Sequence, residues 1–356
     1  MLSRLLRHER FILTTHIRPD GDALGSELAL ARFLQKLGKE VVIMNSDPPT
    51  YNLYWLPSID QIQVFDGSFP QVRALAQTDA IVVMDTNALN RLGRMSIAVR
   101  DSSAEKLLID HHTNPETWFD GVYARESAAA TGELVYELIS EHDAGLIDAE
   151  IATALYTAIM TDTGSFRYSS VTPRVHRVVA DVLERGDISP DPIHVSIFDT
   201  RSREGLRLLG LALETLTLVH YGQVGYMVVS QRMVREAQSS LEETEGFVNY
   251  PLSIEGVKAA LLFSETDSGV KVSFRSQGTT YVNEWARAFG GGGHRNASGA
   301  YVTRSLAEIV DEVIAAAPRF LDLGAHEEEE VGQELSPEDA SYLASLMNRK
   351  SNSRKR

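Results

Sequence analysis

The sequence predicts an α/β protein with an N-terminal doubly wound parallel sheet and a smaller C-terminal α+β domain. Three observations carry that reading. Short, nearly continuous β-branched runs alternate with helical patterns through the first half, as strands covered on both faces do. Carboxylates and histidines end several of those runs, where open parallel sheets receive their ligands. The 356 residues suit two ordinary domains, and G-D-I-S-P-D-P at 186–192 marks a break between them.

Taken in order, M-L-S-R-L-L-R-H-E-R-F at the start is basic without an apolar signal core. It reads as a short amphipathic helix with Leu2, Leu5 and Leu6 on one side, not as a secretion signal. Strands are expected at Phe11–Thr15, Val41–Asn45, Ile62–Phe65, Ala80–Asp85 and Lys106–Asp110. Helices are expected at Ala23–Leu37 and Thr131–Glu141, with a buried helix at Ile151–Met160 leading into T-D-T-G-S-F. A Leu-rich helix, Glu204–Val219, follows the break. Alternating runs at Gly225–Ser230, Val257–Glu265 and Val270–Arg275 then indicate a second sheet. The expected divisions are 1–185, a linker and helix at 186–219, a second domain at 220–318, and a partly disordered tail at 319–356. That tail holds H-E-E-E-E-V-G-Q-E, a helix signal with Pro337 in its first turn, and a basic end of Arg349, Lys350, Arg354, Lys355 and Arg356.

Composition narrows the chemistry. There are no cysteines, which excludes disulfides, iron–sulfur clusters, thiolate zinc sites and a cysteine nucleophile. Any metal must be held by Asp, Glu and His, a donor set that favours manganese or magnesium over softer ions. No run approaches the ~20 apolar residues of a membrane span, and a cytoplasmic location is expected. The net charge of −15 argues against tracking along duplex nucleic acid, which needs many cationic contacts to phosphate. A small phosphorylated ligand held by a few local cations remains compatible with it.

Two strings hold a dense set of ionisable residues. T-H-I-R-P-D-G-D contains His16, Asp20 and Asp22, and L-L-I-D-H-H-T contains Asp110, His111 and His112. Asp85 ends a third run, and Asp162 follows the buried helix. Several carboxylates converging on one sheet edge would repel one another, and a pair of divalent ions would turn that repulsion into binding energy. P-D-G-D is also good turn and cap chemistry, and Asp85 and Asp162 could each serve a helix end. The joint occurrence is what favours a two-metal hydrolase. Further on stand Arg275 and the string G290-G-G-G-H294, glycines that let backbone N–H groups approach a phosphate or a base.

The pattern His16-x-x-x-Asp20-x-Asp22, then Asp85, then Asp110-His111-His112, then Asp162 resembles the four motifs of the DHH phosphoesterase superfamily. S-F-Arg275-S and F-G290-G-G-G-H294 resemble the small C-terminal domain associated with it, so the resemblance covers approximately residues 8–318. It implies an active site in the cleft between the domains and two manganese ions, or magnesium or another divalent ion in their place. His16 and Asp20 would hold the first, Asp22, His111 and Asp162 the second, and Asp85 would bridge. Asp110 would orient an imidazole, while His112 would meet the substrate phosphate. Arg275, Gly290, Gly291, Gly292, Gly293 and His294 would bind substrate. The implied activity is that of the bacterial oligoribonuclease and pAp-phosphatase type, of 3′–5′ oligoribonuclease and bisphosphate-nucleotidase character. It hydrolyses short oligoribonucleotides to mononucleotides and adenosine 3′,5′-bisphosphate (pAp) to AMP. The alternatives are a cyclic di-AMP or pApA phosphodiesterase and a nucleotide- or RNA-binding protein without turnover. A homodimer is implied, with no membrane or long-duplex partner. Arg18, Phe166 and Tyr168 are open between substrate contact and a structural role, whereas Ser26 is expected to pack under the metal loop.

Overall fold

Alternating burial explains the first sheet. A computed structural model describes residues 1–323; the acidic stretch, the Pro337 segment and the basic end lie outside the described residues. The sheet comprises β1 (Arg10–Thr14), β2 (Glu40–Asn45), β3 (Ile62–Val64), β4 (Ala80–Met84), β5 (Glu105–Asp110) and β6 (Gly121–Ala124). All run parallel, in the spatial order β3-β2-β1-β4-β5-β6. Phe11, Leu13, Val82, Met84, Leu107 and Ile109 enter one core. Ile12, Ile81, Val83 and Leu108 enter another on the opposite face. With apolar cores on both sides, every position in the central strands must be hydrophobic.

Helices α2 (Gly21–Lys36), α5 (Thr131–Asp143), α6 (Ala149–Asp162) and α7 (Pro173–Gly186) contribute to the first core, and α3 (Phe69–Gln77) and α4 (Met95–Asp101) to the second. The short α1 (Leu2–Arg7) inserts Leu5, but Leu6 is exposed, so the expected three-leucine face is narrower than its pattern suggested. Two glycines set the closest helix crossing. A Cβ on Gly25 would lie 2.4 Å from the Ala154 carbonyl oxygen, and one on Gly21 would lie 2.5 Å from Thr161 Cγ2. Without side chains one turn apart, α2 can lie directly on α6, which brings Asp22 towards Asp162.

The break expected at 186–192 is helical. α8 (Pro190–His194) carries its two prolines in the first turn, where a missing N–H loses no helical bond. The Leu-rich helix is shorter than expected: α9 spans Arg203–Leu213, and Thr217–Val219 is a strand, β7. The second sheet adds β8 (Val224–Val229), β9 (Ala259–Glu265), β10 (Val270–Ser276), β11 (Gly292–His294) and β12 (Ala297–Val302), ordered β11-β12-β10-β9-β8-β7. Only β8 and β9 pair in parallel. Phe274 and Trp285 centre one core with α12 (Asn283–Ala288) and α13 (Leu306–Ala316). On the other face, α9, α10 (Gln231–Ala237) and α11 (Asn249–Leu252) cover β8 and β9. Among the described residues no helix is long and apolar enough to cross a membrane.

Candidate metal centre

The strand order reverses between β1 and β4, so the loops after these two strands diverge and leave a crevice at their carboxyl ends. His16 and Asp20 lie in the loop after β1, and Asp85 directly follows β4. Asp110 ends the neighbouring β5 and is followed by His111 and His112. Asp162 is the last residue of α6. The sheet topology therefore delivers three separate sequence segments to one place, and the packing of α6 on α2 adds the fourth.

Asp85 is the centre of the group. Its Oδ2 is 3.4 Å from His16 Nε2, its Oδ1 is 3.4 Å from His111 Nε2, and Thr131 Oγ1 donates to that Oδ1 at 3.1 Å. The carboxylate is 2 % exposed. Its backbone is left-handed (φ 55°), a conformation that costs an L residue about 1–2 kcal/mol. On one side of it, His16 Nε2 stands 4.0 Å from Asp20 Oδ2. On the other, His111 Nε2 stands 3.7 Å from Asp22 Oδ2 and 3.4 Å from Asp162 Oδ2. Among the described residues four groups of possible ligands result, and Asp85 belongs to three of them, His16–Asp20–Asp85, Asp22–Asp85–His111 and Asp85–Asp110–His112, while the fourth is His111–His112–His294.

Cap and site chemistry coexist at Asp20. Its Oδ1 caps α2 by accepting from the N–H groups of Asp22 and Ala23, while Oδ2 faces His16. Asp22 is fixed by donors that sequence reading did not identify. The N–H groups of Thr131 and Gly132, at the start of α5, donate to its two oxygens at 2.6 and 2.9 Å, and Ser26 Oγ donates at 3.1 Å. Ser26 is fully buried beneath the loop, as expected. A helix N-terminus aimed at a carboxylate follows from its unpaired N–H groups, but backbone donors leave no residue-type signal to find in advance.

The tautomers of the two central imidazoles follow from their partners. His16 Nδ1 donates to the Ile17 carbonyl at 2.8 Å, and His111 Nδ1 donates to the Ala128 carbonyl at 3.3 Å. Each ring therefore presents a bare Nε2 to the carboxylates when neutral, the arrangement that metal-binding histidines use. His111 Nε2 is buried and has no hydrogen-bond partner of its own. That orphaned acceptor beside three carboxylates fits a bound cation. An all-oxygen-and-imidazole donor set suits a hard or borderline divalent ion.

Electrostatics tells the same story from the proton's side. Burial pushes the Asp22 carboxyl well above its usual value, and the charge of Asp85 adds to the push. Asp162 is raised to about 6, first by burial, against the pull of His111. Burial also opposes charge on Asp85, but its contacts with His111 and His16 outweigh that and hold it well below the usual carboxylate range. His111 is correspondingly raised: burial resists its charge, and Asp162, Asp85 and Asp22 overcome the resistance. These are the signs of carboxylates that need a positive partner.

His112 is held differently. Its Nδ1 is 2.7 Å from Asp110 Oδ1, a carboxylate with no exposure. From the second domain, His294 reaches the same place: its ring centroid is 5.0 Å from that of His111 and 4.6 Å from that of His112, nearly stacked on the latter. Burial, then the positive charges of His112 and His111, push its pKa down to about 3. Arg275 on β10 and His294 on β11 both pair in register with Ala297 of β12. The two therefore share a sheet face at one level, about 10 Å apart across two strand spacings. The glycine string runs into a strand: Gly292 and Gly293 belong to edge strand β11. A Cβ on Gly291 would lie 2.1 Å from the Gly299 carbonyl oxygen, so that glycine is required by the approach of β12.

Other expected candidates resolve simply. Phe166 packs on Tyr156 and His176 at the core edge, and Tyr168 lies against Gly164. Arg18 has a left-handed backbone (φ 53°) whose N–H donates to Asp47. Arg295 is exposed, and it bridges the domains to Glu126 at 3.5 Å.

Two family models match the chain, "DHH family, N-terminal domain" over residues 10–159 and "DHHA1 domain" over residues 224–321. A Thermus thermophilus protein named bifunctional oligoribonuclease and PAP phosphatase NrnA is 34% identical over 290 residues, 81% of this chain and 82% of its own. The Bacillus subtilis protein of the same name is 26% identical over 299 residues, 83% of this chain and 90% of its own. The crystal structure of an exopolyphosphatase-related protein from Bacteroides fragilis superposes with a TM-score of 0.83 at 30% identity, covering 89% of this chain and 96% of that one. With the motif residues gathered at one crevice and both family domains present in order, this chain belongs to the DHH family of phosphoesterases with a C-terminal DHHA1 domain.

Proposed function

We propose that the protein is a metal-dependent phosphoesterase that cleaves short oligoribonucleotides to mononucleotides and removes the 3′-phosphate of pAp. The observation that carries this reading is Asp85, one buried carboxylate shared by three groups of possible ligands beside His111 and His112, against which His294 of the second domain stands. The names of the Thermus and Bacillus relatives support the choice of substrate.

In this proposal His16 and Asp20 would hold one ion and Asp22, His111 and Asp162 the other, with Asp85 available to both. Divalent ions bound there supply acidity for water and charge neutralisation for phosphoryl oxygens, and manganese is the ion proposed. The protein's own groups do the rest. Thr131, Gly132 and Ser26 hold the Asp22 carboxylate in one orientation. Asp110 accepts from His112 Nδ1, so the proton available to a phosphate or a departing ribose oxygen is the one on Nε2. Asp110 thereby fixes the tautomer and orientation of the His112 ring, as a carboxylate does behind a catalytic histidine. His294, Arg275 and the outer edge of β11 form the far wall and bind the rest of the substrate, with Gly290 to Gly293 shaping that edge.

A homodimer in the cytoplasm is the proposed setting, and light scattering on the eluting peak tests the dimer. The activity is tested by parallel assays with manganese on pAp, pApA, cyclic di-AMP, and RNAs of 3 and 50 nucleotides. Hydrolysis of pAp and the 3-mer with steep loss on the 50-mer is expected. Equal rates on both RNAs, or turnover of cyclic di-AMP alone, would reject the reading. Turnover unaffected by chelation would reject the metal chemistry.

A further inference from the structure

The second domain's sheet presents a line of cations that the metal centre does not use. Val270, Val272, Phe274 and Ser276 of β10 turn into the core, so Lys271, Ser273 and Arg275 share the opposite face. Directly paired residues of antiparallel strands share a face. Lys271 pairs with Tyr301, Ser273 with Gly299, and Arg275 with Ala297, which in turn pairs with His294. His294 stands against His111 and His112, so this whole face is the one turned towards the metal centre. Over β8 and β9 the same face is covered by the apolar α9–α11 core, with Ala260 and Leu262 beneath it. Beyond β9 that apolar cover ends, and polar side chains take its place.

The cations there lack partners of opposite sign. Among the described residues, neither Lys271, Arg275 nor Arg18 forms an ion pair. The Arg275 guanidinium donates to the Phe274 carbonyl. Lys271 has an exposed side chain in the open cleft, yet surrounding protein desolvates it and lowers its pKa. Glu245 opposes that shift, while the charges of Arg18 and Arg275 add to it. Arg18 comes from the loop after β1, and its charge also acts on Tyr301. Three cations from two domains thus converge in a chain whose net charge is −15. Like charges gathered on one face, with no carboxylate in ion-pair contact with them among the described residues, favour an anion.

We infer that Lys271, with Arg18 and Tyr301, forms an outer phosphate subsite that reads the backbone of an oligoribonucleotide beyond the nucleotide being cleaved. This rests on the proposed function and deepens it. Lys271 and Arg275 are four residues apart on one strand, about 13 Å. That exceeds the span between the two phosphates of one nucleoside bisphosphate. With its 3′-phosphate at the metals and its 5′-phosphate on Arg275, a pAp molecule has no further phosphate to offer Lys271. A chain of three nucleotides can occupy both. Lys271 therefore separates short RNA from pAp as substrates, while Arg275 serves both.

The test compares wild type with Lys271→Gln and Lys271→Arg, substitutions on an exposed strand position that leave the β10 core residues in place. For Lys271→Gln the ratio of kcat/KM on triadenylate to kcat/KM on pAp should fall about tenfold, and Lys271→Arg should restore it. Binding of fluorescein-labelled triadenylate in excess chelator is the second readout. The slope of log affinity against log salt should shrink by about 0.7 in Lys271→Gln, the loss of one contact to a single strand. An unchanged ratio with an unchanged slope, or equal losses on pAp and triadenylate, would overturn the subsite. If wild type cleaves neither substrate yet the salt slope still responds to Lys271→Gln, the activity reading fails and the subsite stands.

Discussion

Asp85→Asn separates a metal centre from an ordinary buried ion-pair network. In a purely structural network, Asp85 would contribute through His16 and His111, each 3.4 Å away, and its loss would destabilise the fold by about 3–5 kcal/mol. Here a second effect opposes that loss. Asp85 also raises the pKa of Asp22 and of Asp162, so neutralising it relieves two buried carboxylates. The metal-free variant should therefore melt within a few degrees of metal-free wild type. Manganese then discriminates. At one hundred times its Kd, each ion stabilises the native state by about 2.7 kcal/mol. Two ions should raise the wild-type Tm by roughly 10 °C, taking about 2 °C per kcal/mol for a chain of this size. Asparagine removes a charged oxygen from both proposed ion sites at once, so the variant should gain less than about 3 °C and lose at least ~10³ in kcat. Differential scanning fluorimetry with and without manganese, alongside a pAp assay, measures both. A variant that keeps the full manganese shift, or a wild type that shows none, would refute the shared-ligand arrangement.

Two further outcomes follow from buried groups near the centre. Glu27 is fully buried on α2, and Asn45 Nδ2 donates to its Oε2 at 2.8 Å. Burial raises its pKa to about 8. A carboxyl raised in the folded state binds its proton more tightly there than when unfolded, so its contribution is intact below about pH 4.5 and is lost as pH climbs towards 8. Wild type should lose on the order of 2–3 kcal/mol between pH 6 and pH 8 through this group. Glu27→Gln should flatten that loss in urea melts at the two pH values, and a parallel loss in the variant would count against it. At the α2–α6 crossing, Gly25→Ala should cost about 1–3 kcal/mol, because its Cβ meets the Ala154 carbonyl, and should lower kcat by parting Asp22 from Asp162. Gly210→Ala on α9, where nothing lies within 4 Å of the added carbon, is the control and should be neutral or slightly stabilising.

How much of this was legible in the sequence depends on the kind of signal each feature leaves. The central strands β1, β4 and β5 announce themselves because two-sided burial forces an unbroken apolar run. Edge strand β6 alternates buried Gly121 with exposed Val122, and its four residues are too few to show a period. Helix α7 has a clean apolar stripe, Val175, Val178, Val179 and Val182, but its β-branched residues mimic a strand signal. The Glu204–Val219 pattern overran its helix because Leu216, Leu218 and Val219 keep an apolar look while the chain changes from α9 to β7.

The residues gathered at the crevice were more legible than their supports for a related reason. A candidate ligand must be a particular side chain, so His16, Asp20, Asp22, Asp85, His111 and Asp162 leave their identities in the sequence. What holds them is mostly backbone: the Thr131 and Gly132 N–H groups on Asp22, and the Ile17 and Ala128 carbonyls on the imidazoles. Any residue but proline supplies such donors, and every residue supplies such acceptors. Glycines fall between the two cases. Gly21 and Gly25 look like routine turn and helix residues, and only the α6 surface shows that a methyl group has no room there. The same logic applies to Lys271. A lysine on an alternating strand reads as ordinary surface until strand register places it on the face that carries His294 to the metal centre. Its role is a matter of which face it shares, and that is a property of pairing between strands that no single stretch of the sequence contains.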